Sequence, residues 1–255
     1  MNKTLFANYR KMVEQAWMPI FVKDDLNTDM LLEGCRLAGL KVIEYTLRRE
    51  DAAKVVPTLR EKMPGTVVFM GSTIDDEKVV NQMKGKHPQL MTIAELAPFV
   101  DGYVSMLPYS DETLKKYSQT HLCIPAASTG GEALRQISAG ACFIKVLGPD
   151  FGFSKSLHAL PTFNYCPTYI TGGVTCERME EAFAAGNMIC AAGFDVVLKG
   201  EDPAALTAEK VAEKLKIFVA SAKAARAKVN PSVADLEKMS DEEFVAALPN
   251  YCSVV

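Results

Sequence analysis

The sequence predicts an α/β protein of the (β/α)8 barrel type, and three observations carry that expectation. The chain has 255 residues, a length suited to one eight-stranded barrel. Short β-rich runs alternate with helical stretches from Met18 to Lys199, and the runs are mainly apolar, as parallel strands buried on both faces are. Eight runs qualify as strands: Pro19–Val22, Lys41–Leu47, Thr66–Met70, Gly102–Met106, Leu122–Pro125, Cys142–Leu147, Thr168–Thr171 and Met188–Ala192. An open, doubly wound sheet shares this local pattern and stands as the alternative architecture.

Segments such as Asp29–Ala38 and Asp75–Met83 read as helices because acidic or hydroxyl residues stand at their starts. Asn2–Gln15 reads as an amphipathic helix capping one end of the barrel. Thr207–Lys228 has apolar residues at helical spacing and suits an outer helix after the last strand, stopped by Asn230-Pro231. A short helix near Ser240–Leu248 leads into a tail from Tyr251 to Val255. Lys84–Pro98 is longer than a tight connection and reads as an insertion. The whole chain, 1–255, reads as one barrel domain, with the barrel over about 18–228 and a C-terminal extension over 229–255.

Composition narrows the function. A formal charge of −3 and a pI near 5.7 leave no basic excess to neutralise phosphates, which argues against a nucleic-acid partner. The seven cysteines fall singly and mostly in apolar runs, the setting of reduced, buried thiols in a cytoplasmic protein. No apolar run approaches the length of a membrane span. His87, His121 and His158 show no metal-ligand spacing, so neither metal nor cofactor is called for.

In such a barrel, function gathers at the C-terminal ends of the strands. The second strand carries Glu44, Thr46 and Arg48 at alternate positions, so all three share one face. If that face is the interior, a carboxylate and a guanidinium enter one pocket; a purely structural ion pair is the competing explanation. The sixth strand places Lys145 among apolar neighbours ahead of Gly148-Pro149. Burial disfavours the charged ammonium and favours the nucleophilic free amine. A lysine snorkelling from the strand end is the competing explanation here. After the seventh strand, Gly172-Gly173 form a turn that can bring backbone N–H groups to an anion, and Gly193 forms a second turn after the eighth. Phosphate sites in barrels commonly use these two loops. Ser128-Thr129-Gly130-Gly131 looks similar but follows the fifth strand, where it can simply start a helix.

The order and spacing of these segments resemble the class I 2-keto-3-deoxy-6-phosphogluconate aldolases, a family that includes 4-hydroxy-2-oxoglutarate aldolases. The likeness runs from about Met18 to Leu198. It rests on Met18-Pro19-Ile20, Gly39 to Arg48, Gly71-Ser72-Thr73-Ile74, Ile124 to Thr129, Phe143-Ile144-Lys145 and Thr171-Gly172-Gly173-Val174. The resemblance implies a TIM barrel, a homotrimer, and cleavage of a 4-hydroxy-2-keto acid to pyruvate and an aldehyde, with or without a phosphate. It implies that Lys145 forms the imine, that Glu44 shuttles protons, and that Arg48 and Ser72 hold the pyruvate carboxylate. Thr73 is the alternative to Ser72 if the register slips by one. Gly172, Gly173 and Gly193 would then face the far end of the substrate.

The departures concern that far end. Phe194 stands where the family has a serine after the eighth strand, and Asp195 follows it. A hydroxyl is lost and a carboxylate is brought close. Val22 and Lys23 occupy the place of an arginine, and Val146-Leu147-Gly148-Pro149-Asp150 replaces a Phe-Phe-Pro-Ala-Glu run. Two other readings stay open: a phosphate-binding isomerase or epimerase in which Lys145 and Glu44 exchange protons without an imine, and a non-catalytic barrel that binds a keto acid.

Overall fold

The computed structural model describes residues 2–22, 25–148, 150–159 and 166–254; Lys23, Pro149 and Val255 lie outside them. The expected strands form at or within a few residues of their sequence positions: β1 Trp17–Phe21, β2 Val42–Thr46, β3 Val67–Gly71, β4 Gly102–Val104, β5 Leu122–Ile124, β6 Ile144–Leu147, β7 Thr168–Thr171 and β8 Ile189–Gly193. Their order in the sheet is β5-β4-β3-β2-β1-β8-β7-β6, and all seven pairings are parallel. The seam between β5 and β6 closes through Cys142 N–H to the Cys123 carbonyl at 2.9 Å and Lys145 N–H to the Pro125 carbonyl at 2.8 Å. Ala126 bridges Lys145 in the same register. The sheet is a closed (β/α)8 barrel, and the open doubly wound alternative is set aside.

Strand side chains alternate between two apolar layers. Ile20, Val42, Phe69, Val104, Ile124, Tyr169 and Ile189 fill the interior, while Ile43, Tyr45, Val68, Met70 and Ile170 pack outward against the helices. That outer layer is built in chain order by α2 Thr28–Leu37, α3 Ala52–Val55, α4 Leu59–Lys62, α5 Glu77–Met83, α6 Ile93–Leu96, α7 Asp111–Tyr117, α8 Gly130–Ala139, α9 Gly152–His158, α10 Met179–Ala184, α11 Phe194–Val197 and α12 Ala208–Val229. The ring closes where α12 packs against α2 and α10. Gly34 makes this approach possible, since a Cβ there would lie 2.5 Å from Val211 Cγ1. The insertion contributes α6, started by a reciprocal Thr92–Glu95 cap.

One mouth of the barrel is plugged by α1, Lys3–Gln15, which follows an Asn2 cap. Leu5, Phe6, Tyr9, Met12 and Val13 extend the interior cluster, and Tyr9 stacks on Phe143 at 5.4 Å. The C-terminal extension, including α13 Asp241–Ala247, packs against this plug. Phe244 meets Phe6 and Tyr9 edge-on, and Arg10 joins Asp241 at 2.6 Å while donating to the Leu236 and Met239 carbonyls. No helix among the described residues is long and apolar enough to cross a membrane.

Candidate active site

At the opposite mouth, the C-terminal strand ends surround a cavity of about 250 Å3. Its lining contains Glu44, Thr46 and Arg48 from β2, Ser72 after β3, Lys145 and Leu147 from β6, Gly172 and Gly173 after β7, and Gly193 and Asp195 around the end of β8. Every residue expected to act at a site is therefore at this one mouth. The period of two in β2 puts Glu44 deep and Arg48 at the exposed rim. The next residue, Arg49, points away and is committed to Asp51 at 3.1 Å and to the Tyr45 hydroxyl at 3.0 Å.

Lys145 and Glu44 are 5% and 1% exposed, and Lys145 Nζ lies 3.8 Å from Glu44 Oε1. This is ion-pair range, longer than a hydrogen bond. The other Glu44 oxygen accepts a hydrogen bond from the Tyr169 hydroxyl at 2.5 Å. Burial, with the Glu44 charge adding to it, holds the Tyr169 phenol well above its ordinary pKa. The phenol therefore stays protonated and keeps donating. Its ring centroid is also 5.8 Å from Lys145 Nζ. Glu44 fits because β3 ends in glycine: a Cβ on Gly71 would fall 2.1 Å from Glu44 Oε1.

Tyr169 and Gly71 are site residues to which the sequence reading gave no role there, as are the cavity-wall residues Met106 and Leu147. A tyrosine in an apolar strand reads as core packing, and a glycine ahead of Ser72-Thr73 reads as a turn. Their parity held the signal. In the closed barrel, Glu44, Gly71, Lys145 and Tyr169 all fall on the inward-facing set of positions.

Of Ser72 and Thr73, only Ser72 lines the cavity, and its backbone is left-handed, φ 61°. Thr73 is buried behind it, with its hydroxyl on the Val104 carbonyl at 3.0 Å and beside the Tyr109 hydroxyl. The Ser128–Gly131 segment is a helix start: Thr129 caps α8, and Glu132 Oε2 accepts from Ser128 N and Thr129 N at 2.9 and 3.1 Å. The Ser128 and Thr129 N–H groups already have a carboxylate.

The substitution after β8 acts through one of its two residues. Phe194 turns out of the cavity and packs edge-on against Phe21, with centroids 4.9 Å apart. Asp195 lines the cavity instead. Gly172 and Gly173 both have positive φ, 91° and 71°, which only glycine adopts without cost.

Fold and site together define a (β/α)8 barrel with an amine, a carboxylate and a guanidinium at its C-terminal mouth. No family model and no curated protein matches the sequence. Among solved structures, the chain is similar to the 2-keto-3-deoxy-6-phosphogluconate aldolase of Zymomonas mobilis in complex with 3-phosphoglycerate: 18% identity, TM-score 0.62, covering 86% of this chain and 97% of that one. It is similar to the corresponding aldolase from Legionella pneumophila, captured with pyruvate as a covalent carbinolamine: 18% identity, TM-score 0.57, covering 85% and 97%. It is also similar to thiamine phosphate pyrophosphorylase from Pyrococcus furiosus: 15% identity, TM-score 0.56, covering 82% and 98%. The shared property is the barrel, since the last of these runs a different reaction on it.

Proposed function

We propose that the protein is a class I aldolase that cleaves a 4-hydroxy-2-keto acid to pyruvate and an aldehyde through a Schiff base on Lys145. The observation that carries the reading is the buried Lys145–Glu44 pair, 3.8 Å apart and open to a cavity rimmed by Arg48. A structural ion pair has no need of a cavity, and a snorkelling lysine is not 5% exposed.

The chemistry follows from these groups. Glu44 first takes a proton from the Lys145 ammonium, 3.8 Å away, and the freed amine adds to the C2 ketone to give a carbinolamine as a proton passes from nitrogen to oxygen. Glu44 gives a proton to the departing hydroxyl, water leaves, and a protonated imine remains. The same carboxylate then takes the proton of the C4 hydroxyl. The C3–C4 bond breaks, its electron pair neutralises the iminium as an enamine, and the aldehyde departs. Protonation at C3 and hydrolysis release pyruvate and restore the amine. Arg48 and Ser72 would hold the C1 carboxylate, for which a guanidinium fork is suited. The imine is the electron sink, so this route requires no further cofactor.

Incubation with pyruvate and borohydride, followed by peptide mapping, tests the reading. The expected result is one reduced pyruvyl unit on Lys145. Labelling at Lys155 or Lys199 instead would move the active site away from Lys145, and the absence of any adduct would favour proton exchange without an imine; either outcome overturns the proposal. The pyruvate half of the substrate is common to 2-keto-3-deoxy-6-phosphogluconate and 4-hydroxy-2-oxoglutarate; the other half is decided at the far side of the cavity.

A further inference from the structure

We infer that the substrate carries a single negative charge, on its keto-acid end, and that its far end is an uncharged hydroxylated or alkyl group. The inference rests on the aldolase reading above and extends it to the half of the substrate that reading leaves open.

The first argument is charge. Among the described residues, two cations and two carboxylates line the cavity: Lys145 and Arg48, Glu44 and Asp195. Lys145 becomes the imine with Glu44 as its proton partner, and Arg48 is matched to the C1 carboxylate. No cation in that set is left for a phosphate or a second carboxylate. Arg178 follows the Gly172-Gly173 turn, but it pairs with Glu181 at 2.9 Å and its Cζ lies over the Phe151 ring at 4.5 Å.

The second argument is position. A Cβ on Gly193 would meet Asp195 Oδ1 at 2.3 Å. The Asp195 carboxylate thus lies over the turn after β8, the approach an anion would take to the backbone there. A carboxylate accepts hydrogen bonds from hydroxyl groups and repels phosphate. The third argument is the remaining wall. Leu147 is 56% exposed and Met106 is 44% exposed, and both line the cavity. Apolar side chains held at a mouth gain by covering an alkyl or sugar-like chain, whereas a dianion would lose hydration against them.

The test compares kcat/KM for a 2-keto-3-deoxy sugar acid, its 6-phosphate, and 4-hydroxy-2-oxoglutarate. The neutral-ended acid should be preferred over each substrate with a charged far end by about tenfold or more, the scale of one unrelieved like-charge contact. Asp195→Ser and the near-isosteric Asp195→Asn should each move the ratio toward the phosphorylated substrate by about tenfold. A preference for the phosphate in the unaltered protein would overturn the inference, as would ratios that neither variant moves. Pyruvate trapping in the same preparations separates the two layers. An adduct at Lys145 without the expected discrimination defeats this inference alone, and no adduct defeats the aldolase reading beneath it.

Discussion

Glu44 is gripped from three sides: Lys145 faces one carboxylate oxygen, the Tyr169 hydroxyl binds the other, and the bare Cα of Gly71 leaves the room it occupies. A buried charge held this way resists replacement, because removing it leaves Lys145 without its counter-charge. Glu44→Gln keeps the shape and loses the exchangeable proton, so kcat should fall by about 10²-fold or more. Arg48 sits at the rim, and in the proposed role it would touch the substrate carboxylate in ground state and transition state alike. Arg48→Ala should therefore raise KM far more than it lowers kcat. Near-normal turnover in Glu44→Gln would reduce Glu44 to an internal ion-pair partner. At this scale the sequence was informative where a charge interrupted an apolar strand, as at Glu44 and Lys145. It was silent at Tyr169 and Gly71, because an aromatic ring or a glycine in a strand has an ordinary packing explanation that no local pattern removes.

At the scale of the element, each strand does its work through alternation. β2 sends Glu44 and Arg48 inward and Tyr45 outward, and one step of slippage would exchange them. The register with β3, Glu44 opposite Phe69 and Thr46 opposite Gly71, sets which β3 side chain meets the carboxylate. Gly71→Ala is accordingly a test of an element rather than of a chemical group. The added methyl would displace the Glu44 carboxylate, and kcat should fall by roughly the amount seen for Glu44→Gln, while circular dichroism remains that of the folded barrel. Unchanged kcat would mean that Glu44 need not sit against β3. Strand positions were legible because apolar runs of this length between helix starts have few other uses. Their ends were not: Gly102–Met106 shortens to Gly102–Val104, with Ser105 keeping one backbone bond to β5, N–H to the Ile124 carbonyl at 3.0 Å, while its hydroxyl donates to the Thr73 carbonyl at 2.7 Å. Phe194 and Asp195 show the same limit. Sequence order alone does not say which of two neighbours enters the pocket.

For the whole molecule, the two mouths differ: the candidate site lies at one and the packed plug closes the other. The closed mouth depends on Phe244, fully buried against Phe6 and Tyr9. Phe244→Ala should cost about 3–5 kcal/mol, lowering Tm by roughly 6–20 °C for a chain of this size. Borohydride trapping at Lys145 should survive, because the cavity lies at the other end. A Tm within a degree or two of the unaltered protein would show that the extension is not part of the core. This packing was not legible in the sequence. The segment between Pro231 and Val254 consists of 3-10 turns and one short helix, too brief to show a period, and its partner lies far away along the chain.

That separation has a consequence during synthesis. Arg10 and Asp241, which meet across the plug, are 231 positions apart. At ordinary translation speed, α1 leaves the ribosome roughly 10–50 s before its cover is made. Through that interval Leu5, Phe6 and Tyr9 are without Phe244, and a chaperone that reads exposed apolar helices has its target at the leading end of the nascent chain. A message cut short before α13 yields Lys145 and the other cavity residues on a barrel whose bottom is open, a product exposed to proteases.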